Sequence, residues 1–333
     1  MASVPKSYLD LLDACDSFPY RDPNHADPCA NFYTFYLPSD PRPHGFLLPA
    51  TVAAMPWTPQ FTVDHQRKII TLNGTQDLST TAFTHLIDTA LSSNTFKLLH
   101  APLFGIVSRG AHLTVYTYTY ARGGNGNGKD GGGEKEMKIW VPRRSKHLFT
   151  YPNCLDTTVA GGVTAGEGPG ECVVREAGEE ASLDEGFVRS NAKSVGCLSY
   201  ISHRDAPGDS EKGLFSPELI YCFDLEVAPD VICKQCDDEV KEFYLMGVQE
   251  VKDALARGEF KTNSACVMID FFIRHGVLTP EEKVSFVIHF GSFLVPVSLA
   301  FLDSIMQRLW QDCIVDCRFL LLLISELDGA GGL

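Results

Sequence analysis

One stretch restricts this chain more than any other, AGGVTAGEGPGECVVREAGEEASL, which is rich in glycine and glutamate. Glu167 lies in its glycine-rich first half. Glu176, Glu179 and Glu180 follow at positions i, i+3 and i+4, so their carboxylates share one face if this part of the chain is helical. Carboxylates crowded in this way raise each other's pKa unless a cation neutralises them. The spacing therefore predicts a metal site on one face of a helix.

The chemistry of these side chains indicates which metal the site would hold. Hard carboxylate oxygens suit Mg²⁺ or Mn²⁺, which keep several waters and bind substrate phosphates in their remaining positions. Such a site can polarise a phosphoryl oxygen, deliver a water nucleophile and hold a leaving group. The predicted metal ligands are Glu167, Glu176, Glu179 and Glu180.

Three further residues of the stretch have predicted roles around this cation. Arg175 precedes Glu179 by one helical turn, so an i, i+4 ion pair is expected to orient that carboxylate. Gly161 and Gly162 have no side chains, and we expect their backbone to approach the metal and the substrate phosphates closely.

The same residues match the Nudix signature: a glycine, five residues, a glutamate, seven residues, then Arg-Glu-aliphatic-any-Glu-Glu-any-Gly-aliphatic. The chain thus resembles the Nudix hydrolases, which cleave diphosphate linkages with a divalent metal. The matching residues are Gly161, Glu167, Arg175, Glu176, Ala177, Glu179, Glu180 and Leu183.

One position departs from the signature, because Ser182 stands where the family has glycine. That glycine serves the turn that ends the helix, where a left-handed conformation costs least without a side chain. We expect the serine to shift the helix end slightly and to leave the metal ligands in place.

Candidate residues also lie outside this stretch. Arg143, Arg144 and Lys146 follow a predicted strand and are candidate contacts to the diphosphate, with an ordinary basic strand end as the equal alternative. Glu239 precedes another predicted strand, and the resemblance implies that it is an extra metal ligand or a general base. A surface acidic turn is the alternative for Glu239. The predicted catalytic residues are Glu176, Glu179, Arg175 and Glu239.

The resemblance narrows further to one group of Nudix proteins. The segments SYLDLLDACD, LFGIVSRGAHLTVYTYT, KIWVPRRS and VKEFYLMGVQEVKDALARGEFKTNSACVMIDFFIRHG are similar to the thiamine-pyrophosphokinase-related Nudix proteins of fungi and plants. That resemblance implies the trimming of damaged or oxidised thiamine diphosphate to the monophosphate. Two alternatives stay open: an oxidised-nucleotide (8-oxo-dGTP-type) diphosphatase, and a non-catalytic Nudix ligand-binding module.

The resemblance and the order of helical and strand patterns predict an α/β (α+β) fold, a Nudix α/β/α sandwich with a mixed sheet behind a smaller α+β domain. The expected division is an N-terminal domain at 1–137 with a glycine-rich loop at 122–136, a Nudix domain at 138–280 and an apolar tail at 281–333. Residues 105–120 are expected to form antiparallel strands around a central turn, and 170–181 a helix.

Charge and composition limit the partners. The formal net charge of −14 would repel long nucleic acids, whereas a small anionic substrate can still bind through a metal and local cations. The start of the chain resembles no targeting signal, so a cytoplasmic protein is expected. The segment 284–302 holds no charged residue and leaves a tail anchor as a minority alternative, or a translated intron beginning at Val284.

Four aromatic residues are candidates for stacking on a heteroaromatic ring of the substrate. Core packing is the competing role for most of them. They are Trp57, Phe61, Phe104 and Trp140.

Overall fold

The computed structural model describes residues 4–18, 29–38, 40–75, 79–93, 101–120, 135–203 and 213–278. Contacts divide the chain into two compact units. One contains the described parts of 1–18, 108–203 and 217–293, and the other contains those of 19–107 and 204–216. Most of the predicted loop at 122–136, and the whole of the apolar segment 284–302, lie outside the described residues.

The described helices and strands run in the following order. The helices are α1 (Tyr8–Cys15), α2 (Pro49–Ala54), α3 (Ser79–Ser92), α4 (Pro169–Ala181), α5 (Glu185–Asn191), α6 (Val248–Ala256) and α7 (Thr262–Arg274). The strands are β1 (Tyr33–Tyr36), β2 (Pro43–Leu47), β3 (Phe61–Asp64), β4 (Ile69–Leu72), β5 (Ser108–Tyr120), β6 (Lys135–Arg144), β7 (Val159–Gly162), β8 (Lys193–His203), β9 (Phe215–Glu226) and β10 (Val240–Gly247). Among these residues no helix is both long and apolar enough to cross a membrane.

A six-stranded sheet organises the first unit. Its strand order is β10-β6-β5-β9-β8, and β7 pairs with β5 beside this path. Strand β5 is antiparallel to β6 and to β7 but parallel to β9. The predicted mixed sheet is therefore confirmed.

Helices cover both faces of this sheet. Tyr116 of β5 points towards α7, where its ring lies 5.4 Å from that of Phe271. Ala111 lies an odd number of positions away on the same strand and so points to the opposite face, together with its partner Gly161. A Cβ added to Gly161 would overlap Glu176 of α4, which places α4 on that opposite face. The predicted α/β/α sandwich is confirmed.

The second unit is a smaller α+β structure. Its four-stranded sheet has the order β2-β1-β4-β3, in which β1 and β4 are parallel. Its core is formed by side chains of these strands and of α2 and α3, among them Phe35, Leu47, Val52, Ile70 and Leu86. The expected smaller α+β domain is present.

Residues 105–120 adopt a different secondary structure from the one expected from sequence. Instead of two strands around a turn, Ser108–Tyr120 form one continuous strand, because β6, β7 and β9 all pair with it. The two compact units separate near residue 108, at the start of this strand, and the division at 137/138 stays a prediction.

Helix α4 begins and ends where the sequence predicts. Pro169 occupies its first turn, where a missing N–H costs nothing. One side of the helix is buried and includes Val173, Val174 and Ala177. Ser182 ends the helix in the left-handed conformation, with φ 55° and ψ 33°. This is the conformation that glycine is expected to adopt at this position of the Nudix signature. The Ser182 hydroxyl donates to the carbonyl of Lys234 over 3.0 Å.

Replacing Ser182 separates two contributions to stability at this helix end, the hydroxyl bond to Lys234 and the strain of the left-handed backbone. Both Ser182→Ala and Ser182→Gly remove the hydroxyl bond to Lys234, but only glycine also relieves a left-handed strain of about 1 kcal/mol. We expect the glycine variant to have the higher free energy of unfolding by about 1 kcal/mol in urea titrations. Equal stabilities would show that the left-handed conformation stores no strain.

Candidate active site

The signature stretch places its residues around one guanidinium. Arg175 lies on α4, and its Nε is 3.0 Å from Oε1 of Glu167 in the preceding loop. Its Nη1 is 2.9 Å from Oε1 of Glu176 and 3.0 Å from Oε2 of Glu179. The predicted pair between Arg175 and Glu179 is present, and the same arginine joins two further carboxylates.

The loop carboxylate is fixed from both sides. Glu167 accepts hydrogen bonds from the backbone N–H and the hydroxyl of Thr164, at 3.1 and 3.0 Å. The bond from Arg175 and those from Thr164 favour the charged form and lower the pKa of Glu167 to about 2. Glu167 is therefore an anion that folds back onto the helix, as the sequence predicts.

Glu180 is the most deeply buried of the four glutamates, with 9% of its surface exposed. Burial is the main cause that raises its pKa to about 9, and the nearby charge of Asp156 adds to it. One hydrogen bond, from the N–H of Ala160 at 3.2 Å, opposes this shift. Burial also raises the pKa of Glu176. Two neighbouring carboxyl groups therefore lie in a place that disfavours their charge.

Gly161 is required by the position of Glu176. An added Cβ would overlap the Glu176 side chain, so β7 and α4 approach closely only because this residue has none. A Cβ at Gly162 would meet nothing within 4 Å. The structure thus distinguishes two glycines that the sequence treats alike.

Glu239 is exposed and directly precedes β10. Its charge is the smallest of the causes that act on the pKa of Glu176, after burial and the charges of Arg175 and Glu179. The carbonyl of Glu239 accepts a hydrogen bond from the N–H of Ser145 over 2.8 Å, which fixes the segment next to the end of β6.

The three basic residues after β6 differ in their surroundings. Arg144 binds the carboxylate of Asp156 at 3.1 Å and also donates to the carbonyls of Thr150 and Tyr151. Arg143 donates to the carbonyl of Asn153 over 2.9 Å. Both arginines therefore anchor the loop that follows them. Lys146 is exposed, and its amine contacts no other described residue.

Asp156, which connects several of these groups, has no distinctive sequence pattern. Its carboxylate is buried and accepts from Arg144, from the hydroxyl of Ser264 and from the N–H of Thr157. Lys261 lies 3.8 Å away. A single aspartate in a run of small polar residues has no distinctive pattern, so its role appears only when the end of β6 and the start of α7 bring Arg144 and Ser264 to it.

Arg109 is a second residue that the sequence analysis did not single out. It lies two positions before Ala111 on β5 and so faces the same side of the sheet as Gly161 and Glu176. Its carbonyl accepts from the N–H of Val163 over 2.9 Å, at the start of the signature loop. Its guanidinium is partly buried and binds no other described residue.

The donor set fits a hard divalent cation. The four glutamates supply only oxygen ligands, and burial makes charged Glu176 and Glu180 unfavourable without a compensating cation. Within the described residues, no three acidic, histidine or cysteine side chains already converge on one point. Arg175 lies among the carboxylates instead. A metal cation would therefore have to replace Arg175 as the ion-pair partner of Glu176.

Comparison with known proteins identifies the stretch. Residues 129–266 match the family model described as NUDIX domain. An uncharacterized protein of Saccharomyces cerevisiae is 35% identical over 190 residues, which cover 56% of this chain and 52% of that protein. Nudix hydrolase 20, chloroplastic, from Arabidopsis thaliana is 34% identical over 184 residues, covering 55% and 43%. Nudix hydrolase 24, chloroplastic, from the same plant is 32% identical over 183 residues, covering 55% and 44%.

The chain spans about half the length of the curated relatives it matches. Among solved structures, a MutT protein from Methanosarcina mazei has 13% sequence identity and a TM-score of 0.34, and the match covers 51% of this chain and 95% of that one. A score at this level is too low to decide the fold, which therefore follows from the strand order and the helix positions given above.

The raised pKa of Glu180 predicts a pH-dependent stability. The folded protein holds a proton on this carboxyl up to about pH 9, whereas the unfolded chain releases it near the ordinary value of 4.5. The unfolded state thus binds fewer protons in this window, and the free energy of unfolding measured with EDTA should fall as the pH rises from about 5 to 9.

Two variants isolate this effect. Glu180→Gln removes the titrating group and should flatten the slope relative to the wild type. Glu171→Gln removes an exposed carboxylate from the same helix and should keep the wild-type slope. A wild-type slope in the Glu180 variant would mean that this carboxyl is charged in the folded protein.

Proposed function

We propose that this chain, which carries a domain of the Nudix superfamily at residues 129–266, is a metal-dependent hydrolase that cleaves the diphosphate linkage of a small organic molecule. The observation that carries the proposal is the gathering of Glu167, Glu176 and Glu179 around Arg175, with Glu180 buried one turn from Glu176. A non-catalytic Nudix module would have no need to keep these groups together.

We assign the cation to the carboxylates of Glu167, Glu176, Glu179 and Glu180. A bound Mg²⁺ or Mn²⁺ supplies polarisation of a phosphoryl oxygen and delivery of a water nucleophile at such a site. The close approach of Gly161 keeps Glu176 between β7 and α4, so its carboxylate is positioned before any ligand arrives. Arg175 orients Glu167 and Glu179 in the same way.

The remaining charged residues have separate proposed roles. We assign to Glu239, which is exposed and whose charge acts on the pKa of Glu176, the role of accepting the proton of the attacking water. Arg109 and Lys146 have no partner among the described residues and are available to bind the phosphates. Arg143 and Arg144 act through the loop that they hold, which is a change from the direct phosphate contacts considered for them from sequence.

The proposed substrate is damaged or oxidised thiamine diphosphate, cleaved by water to the monophosphate and inorganic phosphate. The support for this choice is the resemblance of the segments outside the signature to the thiamine-pyrophosphokinase-related group. Substrate loss and the organic monophosphate formed should be measured by chromatography with Mg²⁺ for thiamine diphosphate, its oxidised forms, 8-oxo-dGTP and ADP-ribose. Preference for the oxidised thiamine compounds supports the choice, and preference for a nucleotide replaces it within the same chemistry.

Removing one buried ligand tests the assignment of roles. Glu176→Gln keeps the shape of the side chain but loses its charge, and we expect turnover with Mg²⁺ to fall by roughly 10³-fold. Glu171→Gln changes an exposed glutamate of the same helix and should leave turnover near the wild-type value. If the Glu176 variant keeps its activity, the proposed ligand set is wrong.

Glycine substitution tests the positioning of Glu176. Gly161→Ala should displace the Glu176 carboxylate and lower kcat by at least about tenfold, while the protein still folds because a flexible side chain can move aside. Gly170→Ala is the matched control, because its added Cβ would meet nothing within 4 Å. Equal kcat values for the two variants would contradict the proposed role of the close approach.

A further inference from the structure

The four aromatic residues considered for substrate stacking fall into two groups. Trp57, Phe61 and Phe104 belong to, or pack against, the core of the second unit. The indole Nε1 of Trp57 donates to the carbonyl of Val52 over 2.9 Å, so the hydrogen-bond donor of this ring is already paired within the second unit. Trp140 belongs to the first unit and lies on β6 of its sheet.

Trp140 points to the same face of the sheet as the carboxylate cluster. Its neighbours Ile139 and Val141 belong to the core that contains the buried side chains of α6 and α7. Because successive side chains of a strand alternate, Trp140 points to the opposite face. Gly161 and the Glu176 side chain meet on that same face of the sheet.

The Trp140 side chain carries a hydrogen-bond donor that has no acceptor among the described residues. The residue is 8% exposed, and its Nε1 is buried with no hydrogen-bond partner among the described residues. Buried donors in folded proteins are almost always paired, because an unpaired N–H loses its bond to water and gains nothing in return. Trp57 satisfies this rule within the chain, whereas the Trp140 N–H has no acceptor in the part of the chain that the structure describes.

The surface around Trp140 is apolar. Leu245 of β10 is its cross-strand neighbour and is 37% exposed. Phe243 lies two residues earlier on β10, faces the same side and is partly buried. Helix α4 packs over β7 and β5, and the exposure of Leu245 indicates that the β6–β10 edge is only partly covered on this face.

We propose that Trp140, Phe243 and Leu245 bind the organic group of the diphosphate substrate, and that the Trp140 N–H donates a hydrogen bond to it. This inference rests on the proposed function, because it uses the sheet face where the carboxylates lie. The chemistry selects a flat ring that carries a carbonyl oxygen or an unprotonated ring nitrogen, since the ring covers apolar side chains while the acceptor pairs with the donor.

Trp140→Phe tests the donor directly, because it keeps an aromatic ring and removes the N–H. We expect kcat/KM for ring-bearing diphosphates, such as oxidised thiamine diphosphate and ADP-ribose, to fall about fivefold to tenfold. Isopentenyl diphosphate has no ring, and the variant should cleave it as the wild type does. Trp57→Phe removes an indole N–H from the second unit and should leave the ratio of the two substrate types unchanged.

Binding measured by calorimetry separates this inference from the proposed function. If the wild type binds ring-bearing diphosphates and Trp140→Phe weakens this binding about fivefold to tenfold, the inference stands even when no diphosphate is cleaved, and only the proposed function fails. If Trp140→Phe lowers activity or binding equally for ring-bearing and ring-free compounds, or for neither, the inference is overturned. Failure of the wild type to bind any ring-bearing diphosphate overturns it as well.

Discussion

One guanidinium holds together carboxylates that would otherwise repel each other. Arg175 contacts Glu167, Glu176 and Glu179 within 3.0 Å, and so connects the glycine-rich loop to the helix that follows it. Without this cation, three negative charges at neighbouring positions would favour an open loop. The arginine therefore keeps the ligands near the positions in which a metal would need them, and a metal that enters takes over part of its role.

Burial adds a second constraint beneath this cluster. Glu180 lies where α4 faces β7. Burial there, with the nearby charge of Asp156, raises its pKa to about 9. A protein gains no stability from a buried carboxyl that faces another acid, so the arrangement is better explained by a ligand than by packing. Asp156 is compensated by Arg144 and by Lys261, which leaves Glu180 as the group with an unmet requirement for positive charge.

The signature itself could be predicted from sequence because its chemistry is local. The helical spacing of Glu176, Glu179 and Glu180, the return of Glu167 and the ion pair from Arg175 all follow from residues close in the chain. The conformation of Ser182 was less clear from sequence, because a left-handed serine is costly and its hydroxyl bond to the distant Lys234 carbonyl is not a local pattern.

Features that depend on distant parts of the chain could not be predicted in this way. The segment around Gly110 has the composition of a turn, yet pairing with β7 and β9 extends it into one strand. Asp156 depends on partners that only the fold brings to it. The Trp140 N–H likewise has no acceptor among the described residues, and no local pattern indicates this. Local patterns therefore predict the cluster of Arg175 and its carboxylates better than they predict the residues that surround it.

The most direct measurement is the binding of Mn²⁺, followed by electron paramagnetic resonance, to the wild type and to Glu180→Gln. The proposed site predicts that the wild type binds Mn²⁺ at neutral pH and that the variant binds it at least about tenfold more weakly, because glutamine cannot release a proton to become an anionic ligand. Equal affinities would contradict the assignment of the cation to these glutamates, and with it the proposed mechanism of diphosphate hydrolysis.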